Sequence, residues 1–305
     1  MISSPAVAVG IDVGGTTIKM GLVDEDGCVL ARRRIPYASM PAFDALADAL
    51  ASETKAMAQD AGRPARCIGV AAPGHAQAGD GLMVDGTANV PLLRNRSLAA
   101  ALRERTGLPV ATTNDGIAAA LGELHHGAGR GLERFLVVTF GTGVGGGVVV
   151  AGRVVVGAEG EPPEIGAMVV DDSGNGPRTL EDFASAAGFA DAYRRAGGQQ
   201  RLRPEEIFAA AAAGDPAAGR AIEETCRRIA QAFGTLINAL NLQACLVGGG
   251  IAEAGDALLA PLRRHLPDFT WPYLLARTRV ERAATGADAG LLGAAAAALR
   301  SPTLG

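Results

Sequence analysis

Two glycine-rich turns constrain the fold of this chain most. Residues 10–19 read Gly-Ile-Asp-Val-Gly-Gly-Thr-Thr-Ile-Lys, and residues 139–147 read Thr-Phe-Gly-Thr-Gly-Val-Gly-Gly-Gly. Apolar, β-branched residues flank both segments, so each turn is predicted at the tip of a β-hairpin. Glycine lets backbone N–H groups converge on an anion, and three threonine hydroxyls and Asp12 add groups that suit phosphate and Mg²⁺. Two such tips indicate a duplicated fold that binds one nucleotide from both sides.

Length and charge indicate a cytoplasmic protein with two α/β domains. A chain of 305 residues is long enough for two domains that each bury a core. The net charge of -4, without a Lys- or Arg-rich run, argues against a nucleic-acid partner. No apolar run reaches the roughly 18 residues of a membrane span, and the N-terminus lacks a signal-peptide pattern. We therefore expect neither nucleic acid nor a membrane as a partner.

The cysteines do not follow the pattern of a metal site or of a disulfide framework. They lie far apart in the sequence, with no C-x-x-C pair among them: Cys28, Cys67, Cys226 and Cys245. The four histidines do not cluster at ligand spacing either. A zinc site built from cysteines is therefore not expected.

The order of strands and helices repeats in the two halves. In the first half, strands are predicted at 7–13, 18–23, 29–35, 67–71 and 109–113, and helices at 41–61 and between Ser97 and Gly107. In the second half, strands are predicted at 135–140, 147–150, 153–156, 244–247 and 277–282, and helices at 180–195, 204–213, 216–240 and 288–299. We place an N-terminal domain at residues 1–115 and a larger C-terminal domain at 116–287. The last helix, within 288–305, is expected to return to the N-terminal domain.

The second glycine turn also matches the fingerprint of dinucleotide-binding proteins. Gly141, Gly143 and Gly146 have its G-x-G-x-x-G spacing, and Glu161 or Glu164 follows about 20 residues later. In a Rossmann fold, however, this turn opens a helix, whereas the residues after Gly146 continue as a strand. A Rossmann dehydrogenase is therefore disfavoured, and the chain has no Walker A sequence.

Polar residues at a strand end and in one loop are further candidates. Asn114 and Asp115 lie where a buried strand meets a helix, at the edge where α/β proteins bind ligands. Asp115 fits either a helix N-cap or a general base on a hydroxyl, with Asn114 orienting the acceptor. Glu164 and Glu181 flank a loop rich in Gly, Pro and Asp, and fit either solvated side chains or carboxylates that bind paired sugar hydroxyls. Three glycines at 248–250 could admit an adenine or a ribose against the backbone.

The ordered set of motifs resembles the ROK family of sugar kinases. The motifs are D-x-G-G-T-x-x-K, P-G, N-D-x-x-A-A-x-x-G-E, G-T-G-x-G-G-G, E-I-G, L-E-x-x-A-S and G-G-G, and the likeness extends from about residue 7 to residue 299. It implies the ATPase fold of hexokinase, actin and Hsp70, with two ribonuclease H-like α/β domains, a duplicated core and a nucleotide cleft between the domains. It also implies an ATP-dependent sugar kinase that uses Mg²⁺, and we expect a homodimer.

The resemblance also assigns roles to individual residues. It makes Asp115 the base that activates the primary hydroxyl of the sugar. The implied sugar contacts are Gly74, Asn89, Asn114, Glu164 and Glu181. The implied phosphate and Mg²⁺ contacts are Asp12, Gly14, Gly15, Thr16, Thr17, Gly141, Thr142 and Gly143, with Asp12 holding Mg²⁺ through water, and Gly249 and Gly250 lie near the nucleoside. Positioning, charge neutralisation and one base then supply the rate.

The chain departs from the family pattern in the zinc-binding loop. Most members read E-x-G-H, whereas here Ala167 follows Glu-Ile-Gly at 164–166. The three zinc cysteines of the family are matched by Asp172, Gly174 and Thr179. Because all four ligands are missing while the phosphate turns and both flanking glutamates remain, we expect a working enzyme with a remodelled, zinc-free loop. The change affects recognition at the C1–C3 edge of the sugar.

Three other functions compete with the sugar kinase. A ROK repressor would need a winged-helix domain before the first phosphate motif. That motif begins here at Gly10, so a repressor is not expected. A non-catalytic sugar sensor is disfavoured by the intact Asp115. A polyphosphate-using glucokinase is a closer alternative, because such relatives also lack the cysteine run, although this chain has no basic stretch suited to a polyanion. The sugar is glucose or a modified glucose such as an amino sugar.

Overall fold

The computed structural model describes residues 6–77, 79–174 and 176–300, which form two compact α/β units. Unit 1 contains the residues up to Arg130, the segment Val154–Pro163 and the residues from Ala287 onward. Unit 2 contains Gly131–Arg153 and Glu164–Gly286. No helix in the described ranges is both long and apolar enough to cross a membrane.

Unit 1 is a mixed β-sheet covered by helices on both faces. Its strands are β1 (Val7–Val13), β2 (Thr17–Asp24), β3 (Val29–Pro36), β4 (Cys67–Ala72), the short β5 (His75–Ala76) and β6 (Met83–Asp85), and β7 (Val110–Asn114), and its helices are α1 (Phe43–Asp60), α2 (Leu98–Thr106), α3 (Asp115–His126) and α10 (Ala289–Leu299). The sheet order is β3-β2-β1-β4-β7. Alternate residues of β1 point to opposite faces, so Val9 packs in the core that includes α1 and α2, whereas Ala8 packs against α10.

Unit 2 repeats this topology. Its strands are β8 (Phe135–Phe140), β9 (Val144–Val150), β10 (Arg153–Val154), β11 (Val169–Asp171), β12 (Arg178–Thr179), β13 (Ala244–Gly248) and β14 (Arg279–Arg282), and its helices are α4 (Leu180–Ala184), α5 (Ala186–Arg195), α6 (Pro204–Ala212), α7 (Pro216–Leu240), α8 (Asp256–His265) and α9 (Pro272–Leu275). The sheet order is β10-β9-β8-β13-β14. In each unit the first strand of an antiparallel hairpin pairs on its other side with a parallel strand, which pairs in turn with a second parallel strand. This repeat is the duplicated core expected from the sequence.

Two predicted helices differ from the observed ones. The helix predicted from residue 41 begins at Phe43, so Pro41 precedes it rather than occupying its first turn. The helix predicted at 180–195 is divided at Ser185, whose backbone is extended. The Ser185 hydroxyl accepts a hydrogen bond from the Gly188 N–H at 3.1 Å and so starts a new helix.

Close packing of α10 decides which elements belong to unit 1. A Cβ on Gly69 of β4 would overlap the carbonyl oxygen of Ala294, and a Cβ on Gly293 of α10 would overlap that of Ala118 in α3. Helix α10 therefore lies with its backbone against the sheet on one side and against α3 on the other. Because of this contact α3 belongs to unit 1, which extends to Arg130, whereas the domain boundary predicted from the sequence lies at residue 115, where α3 begins.

We expect Gly293→Ala to destabilise the protein, with Gly219→Ala in α7 as its matched control. Alanine gains up to about 1 kcal/mol of helix propensity at either position. At Gly293 the new methyl overlaps the Ala118 carbonyl, and overpacking of this kind costs about 1–3 kcal/mol, whereas no described atom lies within 4 Å of a Cβ on Gly219. Denaturant unfolding should give a lower midpoint for Gly293→Ala only. Equal midpoints for the two variants would contradict the close packing.

Candidate active site

The first glycine turn lies at the tip of the β1–β2 hairpin, as predicted. The Gly14 N–H donates to the carbonyl of Thr17 at 3.2 Å, which closes the turn. Gly15 and Thr16 are exposed at the tip. A Cβ on Gly15 would lie 2.5 Å from the backbone oxygen of Asn89, so glycine is required for this approach. The turn and the Asn89 segment are therefore neighbours in unit 1.

Asp12 lies at the end of β1, beside this turn. Its carboxylate is 3.7 Å from the Nζ of Lys19, which also donates to the carbonyl of Ala287 at 3.0 Å. The Asp12 carboxyl packs against Gly290 in the first turn of α10, where a Cβ would lie 2.5 Å from its Cγ. Burial raises the pKa of Asp12, Lys19 lowers it, and the nearby Asp115 raises it. One partly buried carboxylate beside a phosphate turn fits a Mg²⁺ ion held mainly by phosphates and water.

Asn114, rather than Asp115, is the N-cap of α3. The Oδ1 of Asn114 accepts hydrogen bonds from the N–H groups of Gly116 at 2.8 Å and Ile117 at 3.3 Å. Its Nδ2 donates to the carbonyl of Gly74 at 2.9 Å, which ties the end of β7 to the loop after β4. Asp115 is the first residue of the helix, so the N-cap interpretation of Asp115 is wrong.

The Asp115 side chain is exposed to water on one side, but many protein atoms surround its carboxylate and displace part of its hydration. This desolvation raises the pKa of Asp115, against the lowering effect of hydrogen bonds from the Gly116 N–H and the Asn114 side chain. A raised pKa makes a carboxylate a better proton acceptor near neutral pH. The structure thus places Asp115 at the start of α3 with a pKa above its ordinary value.

The second glycine turn joins β8 to β9 in unit 2. The Gly141 N–H donates to the Gly143 carbonyl at 3.0 Å, and Thr142 is exposed at the tip. The Oε2 of Glu181, in the first turn of α4, accepts a hydrogen bond from the Val144 N–H at 2.8 Å. The same oxygen lies 2.7 Å from the position of a Cβ on Gly143. Glu181 therefore contacts the predicted phosphate turn directly, which its sequence position did not indicate.

The Glu-Ile-Gly segment packs beside the same turn. Glu164 is exposed and precedes a single 3-10 turn at Ile165–Ala167. A Cβ on Gly166 would overlap the carbonyl oxygen of Val144, so the segment lies directly on β9. Glu181 therefore binds Val144 directly, whereas Glu164 lies near it because the segment that follows Glu164 packs on Val144.

The three glycines at 248–250, at the end of β13, pack against the end of the strand that leads into this turn. Gly249 has a φ of +82°, and a Cβ there would overlap the backbone of Phe140, the last residue of β8. At Gly250 no described atom lies within 4 Å of a Cβ position. The segment is therefore close-packed on one side and open on the other, as a surface for a flat ligand would be.

Comparison with known proteins identifies the family. The family model of ROK matches residues 8–301. The chain belongs to the ROK family. A glucokinase of Halalkalibacterium halodurans is 33% identical to it, over 93% of this chain and 92% of that protein. The structure of a ROK hexokinase from Thermus thermophilus superposes with a TM-score of 0.84 at 32% identity, and covers 98% of this chain and 100% of the other.

A ROK glucokinase from Streptomyces griseus, crystallised with glucose and AMPPNP, has a TM-score of 0.81 at 27% identity, covering 97% of this chain and 100% of its own. The predictions of the ROK family, of the actin-like ATPase fold and of an ATP-dependent sugar kinase are therefore confirmed. The roles of individual residues are not tested by these comparisons.

The loop that carries zinc ligands in most ROK proteins is held here by other contacts. Arg228 pairs with Asp171 at 3.3 Å and donates to the carbonyl of Val170 at 3.0 Å. The Arg178 guanidinium lies 3.9 Å from the centroid of the buried Phe183 ring. Within the described residues, no group of three or more His, Cys, Asp or Glu side chains is placed to hold a metal ion. Ion pairing and packing on Phe183 stabilise this loop.

Tertiary structure adds residues that the ROK motifs did not single out. Lys19 belongs to the first motif, but only its contacts with Asp12 and Ala287 show that it neutralises the Asp12 charge and ties β2 to the segment before α10. Gly290 permits the approach of Asp12 to α10. The sequence signal for Gly290 is a glycine in the first turn of an alanine-rich helix, where glycine is otherwise unfavourable.

We expect Asp115→Asn to raise stability and Asn114→Ala to lower it. The folded-state pKa of Asp115 is raised above the ordinary value of 3.8, so the folded protein binds this proton more tightly than the unfolded chain. Stability is therefore lost as pH rises through the window above 3.8, and removing the charge stabilises the protein at pH 7.

Asn114→Ala removes the N-cap of α3, which costs about 0.5–2 kcal/mol of stability. Urea midpoints at pH 7 measure both effects, and a lower midpoint for Asp115→Asn would assign it a structural role.

We expect purified protein to contain no stoichiometric zinc and to keep its melting temperature in the presence of a chelator. A structural zinc site contributes roughly 10–16 kcal/mol of apparent binding energy, so its removal would be evident. Arg228→Ala is the comparison variant: it should lower the melting temperature equally with and without chelator, because it removes the ion pair with Asp171. Metal analysis that finds one zinc per chain, with a melting temperature sensitive to chelator, would refute this prediction.

Proposed function

We propose that this ROK kinase transfers the γ-phosphoryl group of ATP to the primary hydroxyl of glucose, or of a glucose modified by a group such as an amine, with Asp115 as the general base. The observation that carries the proposal is the environment of Asp115. Its carboxylate is not the cap of α3, has a raised pKa, and lies near enough to Asp12 to raise the pKa of that residue as well. The glucokinases among the relatives and the glucose in the Streptomyces griseus complex support the choice of sugar.

The reaction requires one proton transfer by the protein. The primary hydroxyl donates its proton to the Asp115 carboxylate while its oxygen attacks the γ-phosphorus, and ADP leaves on the opposite side. Asn114 orients the start of α3 and so the base. Asp12 is the residue that would hold Mg²⁺, through water, and a bound ion would neutralise charge on the phosphate oxygens. The barrier is lowered mainly by alignment of the two substrates.

The remaining roles are proposed within each unit. In unit 1, Gly14, Gly15, Thr16 and Thr17 bind phosphate, while Gly74, Asn89 and Asn114 bind sugar hydroxyls. In unit 2, Gly141, Thr142 and Gly143 bind phosphate, Gly249 and Gly250 bind the nucleoside, and Glu164 and Glu181 accept hydrogen bonds from the sugar. A carboxylate has lone pairs enough to accept from the Val144 N–H and from a sugar hydroxyl together, so the contact observed for Glu181 is compatible with this role.

Magnesium dependence, a cytoplasmic location and a homodimeric assembly remain predictions. Turnover with and without Mg²⁺, cell fractionation and size-exclusion chromatography with light scattering test them in turn. An assay that compares ATP with inorganic polyphosphate tests whether polyphosphate also serves as a donor, as it would in a polyphosphate-using glucokinase.

We expect Asp115→Asn to lower kcat by about 10²–10⁴-fold, the usual contribution of a general base, while sugar binding is retained. The matched control is Asp256→Asn, because Asp256 is likewise an exposed first residue of a helix, but it pairs with Arg263 in unit 2 and has no proposed role in the reaction. Steady-state kinetics with Mg-ATP across glucose, mannose and glucosamine, together with sugar binding by calorimetry, measure the effect. A near-native kcat in Asp115→Asn would remove this residue from the mechanism.

A further inference from the structure

A cavity of about 180 Å³ lies in unit 1 beside Asn114. The residues that line it include the polar His75, Thr112 and Asn114 and the apolar Ile117 and Val156. Asn114 is the neighbour of the proposed base in the sequence, so the cavity adjoins the proposed reaction centre. Its walls come from segments that are far apart in the chain, and His75 is a lining residue that the sequence motifs did not single out.

The position of His75 is determined by its neighbours. It follows Gly74, whose φ of +92° turns the chain and whose carbonyl accepts the hydrogen bond from Asn114 at 2.9 Å. His75 itself begins the short strand β5 and pairs with Asp85 of β6. Its side chain is half-buried rather than free in solvent. His75 therefore directly follows the residue that binds the Asn114 amide, and both His75 and Asn114 line the cavity.

A carboxylate lies near this imidazole. The pKa of Glu161 is lowered first by backbone N–H groups of its own loop and further by the nearby His75. Glu161 belongs to the Val154–Pro163 segment, which also supplies Val156 to the cavity wall. Glu161 is therefore a charged neighbour of His75, which lines the cavity.

The chemistry of the lining fits a neutral carbohydrate. The imidazole, a hydroxyl and an amide offer donors and acceptors for hydroxyl groups, while Ile117 and Val156 offer apolar surface for a C–H face. The Thr112 Oγ1 is buried and has no hydrogen-bond partner among the described residues. No Lys or Arg occurs among the described residues that line the cavity, so a phosphate would find no countercharge there.

We propose that His75 is a further sugar contact: its imidazole hydrogen-bonds a sugar hydroxyl in this cavity, a subsite that Gly74 and Asn114, two of the proposed sugar contacts, also line. The inference rests on the proposed function. It gives unit 1 an imidazole for sugar recognition in a chain where Ala167 replaces the histidine of the family motif. His75 is then a residue that determines affinity and preference among hexoses, and it takes no part in the proton transfer.

The test compares His75→Ala and His75→Gln with wild-type protein, using His265→Gln as the control. His265 is half-buried like His75, but it pairs with Glu223 at the end of α8. His75→Ala should raise the KM for the preferred hexose about 5- to 10-fold, the loss of one hydrogen bond, with kcat and the KM for ATP nearly unchanged. His75→Gln, which keeps a donor and an acceptor, should restore much of the affinity. The ratios of kcat/KM among glucose, mannose, glucosamine and N-acetylglucosamine should change in His75→Ala only.

The outcomes separate this inference from the proposed function. If wild-type protein phosphorylates a hexose and His75→Ala leaves its KM and the hexose ratios unchanged, the subsite assignment is overturned while the kinase proposal stands. If His75→Ala lowers kcat, both affinities and the melting temperature together, the role of His75 is structural and the assignment is also overturned. If wild-type protein neither binds nor phosphorylates any hexose of the panel, both proposals are overturned.

Discussion

The backbone contact between α10 and the sheet of unit 1 is the interaction on which the candidate site depends. Glycine at positions 10 and 69 lets the helix approach the strands until its carbonyl groups occupy the space of the missing side chains, and Gly293 does the same toward α3. The first turn of α10 then lies on Asp12, and α3 begins at Asp115. One close-packed helix therefore sets the positions of both acidic residues.

The repeated topology explains why a glycine turn of the same kind occurs in each unit. In each unit the hairpin tip and the carboxyl ends of the parallel strands fall on the same edge of the sheet, because the first strand of the hairpin is parallel to the strand beside it. Ligands bind at this edge in α/β folds. A glycine turn therefore lies beside a carboxylate in each unit: Asp12, near the end of β1, in unit 1, and Glu181, in the first turn of α4, in unit 2.

The loop without zinc ligands illustrates another way of ordering a segment. A structural metal concentrates the stabilisation in four bonds, whereas this loop depends on a partly exposed ion pair, carbonyl hydrogen bonds and packing on the buried Phe183. Single ion pairs of this kind contribute about 0–1 kcal/mol each, so the aromatic packing is the larger stabilising contribution. These contacts precede and surround the start of α4, from which Glu181 reaches the second glycine turn.

Local interactions made much of the fold predictable. The bounds of β1 and α7, the Ser97 cap and both hairpin tips follow from residues close together in the sequence, and they were predicted correctly. The ordered motifs were sufficient for the family and for the kinase class. What the sequence could not determine are contacts between distant residues: the Asn114 bond to Gly74, the Glu181 bond to Val144, and the assembly of the cavity around His75. These depend on how helices pack on the sheet, because only that packing brings hydrogen-bonding groups from separate segments within about 3 Å of each other.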